Sequence, residues 1–174
     1  MCIRDRFQLG YILGEQTLDA ALKAYYDQWK FKHPDKYDFI RALERTADLE
    51  LDWFFDLWIN TTKTIDYGVE DLIEKEDLTQ ISLRKIGEIP MPIDLLITKK
   101  DGSQLLYYIP LGIMRGEKSN ESSMARVVAR DWYWTHPSYQ LEVPVTIDEI
   151  AKVEIDPSGR MADISRQNNV FKTK

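Results

Sequence analysis

The sequence has one cysteine and two histidines among its 174 residues. A lone cysteine, Cys2, cannot form an internal disulfide, and nothing around it indicates thiol chemistry. The histidines, His33 and His136, lie far apart in the sequence. A zinc site of the two-histidine helical type needs its second histidine four residues after the first. The sequence therefore predicts no metal ligands and no catalytic residues within this chain.

Long apolar runs and a basic surface are also absent. No stretch approaches the roughly 18–20 apolar residues that a membrane-spanning helix requires, so we expect no membrane span. The first residues lack a charged segment followed by an apolar one, so no signal peptide is predicted. The net charge of −6 comes from acidic and basic residues that are interspersed along the chain. This pattern is typical of a solvated surface and does not favour a nucleic-acid partner.

What the chain does contain is a helical half. With 44% hydrophobic and 11% aromatic residues, it has the composition of a globular protein. Apolar residues recur at spacings of three and four between Leu18 and Trp29, which predicts a helix that ends before Pro34. Asp35 is predicted to cap the next helix, and Asp48 a further helix that carries the aromatic run from Leu51 to Ile59. Gly14 is expected to close a short helix that precedes them all.

After about Gly68 the apolar period changes from helical to alternating. Short strands are predicted for 81–86, 93–98, 104–109, 125–131, 139–145 and 153–155. The Asp101-Gly102 pair indicates a hairpin, because glycine accepts a positive φ. Strands of this length and spacing favour an antiparallel β-sandwich, and helices followed by strands indicate the α+β class. The polar and basic residues 166–174 are expected to form a flexible tail.

Several runs resemble the zinc aminopeptidases of the aminopeptidase N type, the gluzincin family. In the helical half these are Trp29-Lys30-Phe31-Lys32-His33-Pro34, Asp38-Phe39 and the run from Leu51 to Trp58. In the strand half they are Met91-Pro92-Ile93-Asp94, Ile109-Pro110-Leu111, Met114-Arg115-Gly116-Glu117 and Ile155-Asp156-Pro157-Ser158-Gly159, which are similar to a bacterial subgroup.

The resemblance implies four segments. Residues 1–6 do not fit the family pattern and are expected to be an artefactual leader joined to a truncated reading frame. Residues 7–67 would be the closing helices of a thermolysin-like catalytic domain. Residues 68–165 would be the β-sandwich domain that follows it, and residues 166–174 the tail.

The resemblance also implies what this chain does not do. In the family, an H-E-x-x-H motif and a later Glu bind zinc, and a Tyr stabilises the oxyanion. None of these can be placed in this chain. Tyr11 does not match the oxyanion Tyr, because Tyr11 lies inside a helix and the family's Tyr precedes that helix. We therefore expect an inactive C-terminal portion of a metallopeptidase, without a cofactor of its own. Its partners would be the upstream catalytic domain and, in the zinc-containing parent hydrolase, a peptide substrate; the parent is expected to be periplasmic or secreted.

Two sets of residues remain as candidate contact sites. Arg115, Glu117 and Lys118 lie in a predicted long loop, where functional residues concentrate, and are candidates for contact with another domain or with substrate. The aromatic run Trp132-Tyr133-Trp134 supports an alternative, in which the chain is a stand-alone β-sandwich module that recognises protein or carbohydrate. Buried rings would remove that platform, because a buried ring fills a core instead.

Overall fold

A computed structural model describes residues 3–173 and shows an α+β protein with helices, antiparallel strand pairs and one parallel pair. The described chain forms two compact units. The helical unit contains residues 3–62 and Ile113–Ser123. The sheet unit contains Lys63–Gly112 and residues 124–173.

The helical unit contains four α-helices and one π-helical turn. The helices are α1 (Ile3–Leu13), α2 (Glu15–Trp29), α3 (Lys36–Ala47) and the short α4 (Asp52–Phe54), which continues into the π-helical turn Phe55–Ile59. Residues 3–6, expected to be an artefactual leader, form the first turn of α1. There Asp5 accepts a hydrogen bond from the Trp58 indole at 2.8 Å. The first turn of α1 is thus tied to the aromatic run of the same unit.

Local signals explain both ends of α3 and the end of α1. The Asp35 carboxylate accepts the backbone N–H groups of Tyr37 and Asp38, while Asp38 accepts the N–H of Asp35, a complete capping box. Gly14 adopts a φ of 86° between α1 and α2, as its position predicted. The prediction for Asp48 is wrong. Asp48 ends α3 in the left-handed region, at φ 53° and ψ 43°, and caps no helix start.

The sheet unit contains eight strands. They are β1 (Tyr67–Lys75), β2 (Leu78–Lys85), β3 (Ile93–Lys99), β4 (Gln104–Ile109), β5 (Arg126–Val128), β6 (Ser138–Val143), β7 (Ile150–Ile155) and β8 (Val170–Lys172). One sheet has the order β1-β2-β6, and the other has the order β5-β4-β3-β7-β8. The β3–β4 hairpin turns at Gly102, whose φ is 86°. The hairpin prediction is therefore confirmed.

Two features of the sheets differ from the sequence-based expectation. Strand β5 pairs with β4 in parallel, so the five-stranded sheet is mixed and not purely antiparallel. Strand β8 lies within the segment that was expected to be a flexible tail, and it pairs with β7 through Val153 and Phe171. Pairing with β7 satisfies backbone N–H and C=O groups of β8. The polar composition of this segment had suggested that these groups are exposed to solvent.

Alternating apolar residues of both sheets form the core of the sheet unit. The fully buried side chains include Ile81 and Leu83 of β2, Ile93, Leu95 and Ile97 of β3, and Val153 of β7. This pattern follows the period of two that places every second side chain on one face. Burial of one face thus specifies these strands. The alternating pattern predicted β2 to β7, whereas β1 and β8 were not among the predicted strands.

Candidate functional site

The three loop residues chosen from the sequence do not share one environment. Arg115, Glu117 and Lys118 all lie in the Ile113–Ser123 segment, which belongs to the helical unit although it follows β4 in the chain. Arg115 and Glu117 are exposed, whereas Lys118 is only 4% exposed. The structure therefore separates two surface side chains from one buried side chain.

Lys118 is held inside the helical unit by α1. Its Nζ donates a hydrogen bond to the Tyr11 carbonyl oxygen at 3.1 Å and lies 4.4 Å from the centre of the Tyr11 ring. Tyr11 itself is fully buried. A desolvated ammonium over an aromatic ring gains a cation–π attraction as well as the hydrogen bond. Lys118 therefore has a packing role and not an open contact surface.

Close contacts with residues 48–50, which connect α3 and α4, also hold the Ile113–Ser123 segment in place. The N–H of Glu50 donates to the Met114 carbonyl oxygen at 2.9 Å. A Cβ on Gly116 would lie 2.7 Å from a Leu49 methyl carbon and 3.1 Å from the Asp48 carbonyl oxygen. Only glycine permits this approach without a shift of the neighbouring groups. The segment is thus an integral part of the helical unit.

We expect Lys118→Ala to destabilise the helical unit by about 1–3 kcal/mol, because it removes the charged hydrogen bond and the ring contact. Arg115→Ala is the matched control. The Arg115 side chain is 78% exposed, and its guanidinium lies 3.6 Å from Glu50 Oε1. Such a pair contributes little, so its loss should change stability by less than about 0.5 kcal/mol. Hydrogen exchange of the α1 amides in urea would measure the loss of unfolding free energy in each variant. Equal losses for Lys118→Ala and Arg115→Ala would contradict the burial argument.

One group of three acidic side chains occurs within residues 3–173. Ligand atoms of Glu44, Glu50 and Asp52 all lie within 4.8 Å of one another. However, Glu44 accepts the N–H of Leu51 at 2.9 Å, and Glu50 pairs with Arg115. Glu44 lies on α3, whereas Asp52 is the first residue of α4. These protein contacts account for the positions of Glu44 and Glu50.

The two histidines belong to different units. His33 is exposed in the connection between α2 and α3 of the helical unit. His136 is exposed in the sheet unit, where its ring lies 6.0 Å from the Tyr133 ring. Its carbonyl oxygen accepts a hydrogen bond from the Trp132 indole at 2.9 Å.

The three aromatic residues that suggested a sugar platform are divided between core and surface. Trp132 is 3% exposed, and its ring stacks on Tyr139 at 5.2 Å and meets Tyr67 edge-on at 5.4 Å. Tyr133 and Trp134 are 63% and 51% exposed. A row of three exposed rings is thus not formed. Trp132 fills the core, as large aromatic side chains usually do.

A buried carboxylate organises the turn after β7. Asp156 accepts the Met161 N–H at 2.7 Å and the Ser158 hydroxyl at 2.6 Å. Burial raises the pKa of Asp156, while these hydrogen bonds oppose the rise. A cavity of about 180 Å³ adjoins this turn and the Arg166 side chain. The Asp156 carboxylate therefore stabilises the turn through these hydrogen bonds, which offset the cost of its burial.

A groove of about 910 Å³ lies beside strands β5 and β6 of the sheet unit and is here called the edge groove. Sequence reasoning missed it, because its walls come from three separate parts of the chain. They are Tyr107, Val127, Ala129–Asp131, Tyr133 and Tyr139–Glu142. Burial raises the pKa of Tyr107 and of Tyr139, so both phenols are neutral over the ordinary pH range.

Comparison with known proteins gives no family assignment. No protein-family model matches the sequence. No curated protein matches it significantly. Within residues 3–173, no helix has both the length and the apolar character needed to cross a lipid bilayer.

Proposed function

We propose that this chain is the non-catalytic C-terminal portion of a zinc-dependent aminopeptidase of the gluzincin type. In this proposal, α1 to α4 are closing helices of a thermolysin-like catalytic domain, and the two sheets form the β-sandwich domain that follows. The intact parent would hydrolyse N-terminal residues from peptides with a zinc-activated water. The chain described here would bind no zinc and would serve as structural support.

A continuous chain of aromatic contacts carries this proposal. The rings of Tyr25, Phe39, Phe55, Phe54 and Trp58 meet in succession, at centroid distances of 5.1, 6.2, 5.4 and 5.8 Å. Four of these five residues belong to the runs that resemble the gluzincin closing helices. Aromatic pairs at such distances contribute stability beyond the area they bury. The family-like residues therefore share one packing function, which supports the proposal.

The gene upstream of the Phe7 codon provides the sharpest test. We expect the same reading frame to encode H-E-x-x-H, a later glutamate and an upstream tyrosine. The extended product should then hold one zinc and hydrolyse aminoacyl-nitroanilides in a chelator-sensitive manner. The 174-residue chain, measured in parallel as the control, should do neither. A frame without the motif would contradict the parentage, and zinc-dependent turnover by the short chain would contradict its inactivity.

The second candidate function is a stand-alone module that binds protein or carbohydrate. The edge groove and the exposed rings of Tyr133 and Trp134 favour it. Upstream sequence again separates the two functions, because a stand-alone module requires no peptidase motif in its gene.

A further inference from the structure

The edge groove lies between two strands that each have a free side. Strand β5 ends the five-stranded sheet and β6 ends the three-stranded sheet. Edge strands present a row of backbone N–H and C=O groups that can pair with another chain. Both strands contribute residues to the groove wall. Its volume of about 910 Å³ lies within the range of about 300–1,000 Å³ that ligand sites occupy.

The register of β6 shows which backbone groups point toward its free side. The N–H of Lys85 on β2 donates to the Pro137 carbonyl oxygen at 2.8 Å, so this pair is a hydrogen-bonded one. Antiparallel pairs alternate, so Tyr139, Leu141 and Val143 also bond to β2. The backbone N–H and C=O groups of Ser138, Gln140 and Glu142 therefore point away from β2. Two of these residues, Gln140 and Glu142, line the edge groove.

The opposite wall of the groove is held in position by the sheet unit itself. The Tyr139 hydroxyl donates to the Arg130 carbonyl oxygen at 2.7 Å, which ties residues 129–133 to β6. The backbone N–H of Trp132 donates to the Pro110 carbonyl oxygen at 2.8 Å and anchors residues 129–133 beside β4. A wall fixed in this way does not have to order on binding, which reduces the entropic cost of ligand capture.

Charges in the groove favour a basic ligand group. Asp131 and Glu142 contribute two carboxylates, whereas Arg130 contributes the single positive charge. Glu142 is paired with Lys75 at 3.1 Å, but both side chains are about half exposed, so this pair is weak. The Asp131 carboxylate is exposed and lines the groove. A lysine or arginine side chain of a ligand would complement it.

We propose that the edge groove binds an extended peptide segment, which adds to β6 as a new strand and places a basic side chain beside Asp131. Backbone groups spaced along a strand edge match a peptide, and addition to a sheet edge is a recurring mode of peptide recognition. Because Trp132 is buried, the run Trp132-Tyr133-Trp134 does not present a row of three exposed rings to a carbohydrate. The inference concerns the sheet unit alone and does not depend on descent from an aminopeptidase.

The test uses the full chain, labelled with ¹⁵N, and the acetylated peptide amide Thr-Val-Lys-Val-Thr as the probe. We expect saturable amide shifts in residues 138–142. The same peptide with methylated alternate backbone nitrogens is the matched control. It should bind at least about tenfold more weakly, because it cannot donate the strand hydrogen bonds. Equal binding of the two peptides, or no saturable shift at millimolar peptide, would overturn the proposal.

Protein variants provide an independent arm of the same experiment. Gln140→Pro removes a donor from the free side of β6, a position where edge strands tolerate proline, and should abolish the shifts. If Gln140→Pro does not fold, Asp131→Asn decides, and it should weaken binding about threefold or more through loss of the charge complement. Asp77→Asn, in the exposed β1–β2 turn, is the control and should bind like the unchanged chain. Equal affinity of Asp131→Asn and Asp77→Asn would contradict the proposed position of the basic side chain.

Discussion

Trp132→Ala is expected to destabilise the sheet unit by about 3–5 kcal/mol, the range measured for buried tryptophan and phenylalanine truncations. The reason is the number of contacts that one ring supplies. It stacks on Tyr139, meets Tyr67 edge-on and donates its indole N–H to the His136 carbonyl oxygen. Removal leaves a cavity in the core and takes the indole donor away from the His136 carbonyl oxygen. Hydrogen exchange of β1 and β6 at increasing urea concentration would measure the loss.

Trp134→Ala is the matched control for this substitution, since the same side chain is removed two residues away. Trp134 is 51% exposed, so its removal should change stability by less than about 0.5 kcal/mol. A loss for Trp134→Ala as large as that for Trp132→Ala would show that the burial of Trp132 is assigned incorrectly.

Gly87→Ala is expected to destabilise the sheet unit by about 3 kcal/mol or more, at the upper end of overpacking effects. At this position two segments of backbone cross closely. The N–H of Gly87 donates to the Asp66 carbonyl oxygen at 2.9 Å, and the N–H of Glu88 donates to the Thr64 carbonyl oxygen. A Cβ on Gly87 would lie 2.5 Å from both the Asp66 nitrogen and the Thr64 oxygen. Backbone atoms cannot rotate away as a flexible side chain would.

Gly68→Ala tests whether the effect comes from this crossing or from any added methyl group. The nearest atom to a Cβ on Gly68 is the Asn168 Cβ at 3.4 Å, an ordinary contact. We expect a change within about 1 kcal/mol, because alanine also reduces the entropy of the unfolded chain. Urea unfolding monitored by circular dichroism would compare the two variants. Similar midpoints for both would contradict the crossing argument.

Local signals predicted much of the secondary structure. Asp35 caps α3 as predicted, and the structure adds a reciprocal bond from Asp38 that completes a capping box. Gly14 and Gly102 have the positive φ angles that their positions required. Capping and turn formation involve residues only two to four positions apart. Such contacts can be recognised in the sequence because all partners appear together in one short window.

Predictions that required a choice between neighbouring partners were less successful. Asp48 is acidic and precedes an apolar run, yet it ends α3, and α4 begins with no side-chain cap. The short β5 was predicted as a longer strand, and its parallel pairing with β4 was not predicted. Polar composition suggested a flexible tail where β8 pairs with β7. For β5 and β8, pairing with a strand outside the local window decided the conformation. Asp48 instead ends α3 locally, with its N–H donating to the Glu44 carbonyl oxygen.

The sequence by itself determined the α+β class and the order of helices followed by strands, because helix and strand periods and caps depend on neighbouring residues. Tertiary structure decided where functional candidates lie. It placed Lys118 against Tyr11 in the helical unit and assembled the edge groove from three separate segments. It also brought Gly87 against residues 64–66. The physical reason is that these contacts join residues separated by about 20–110 positions, and packing that satisfies buried groups depends on the whole folded core.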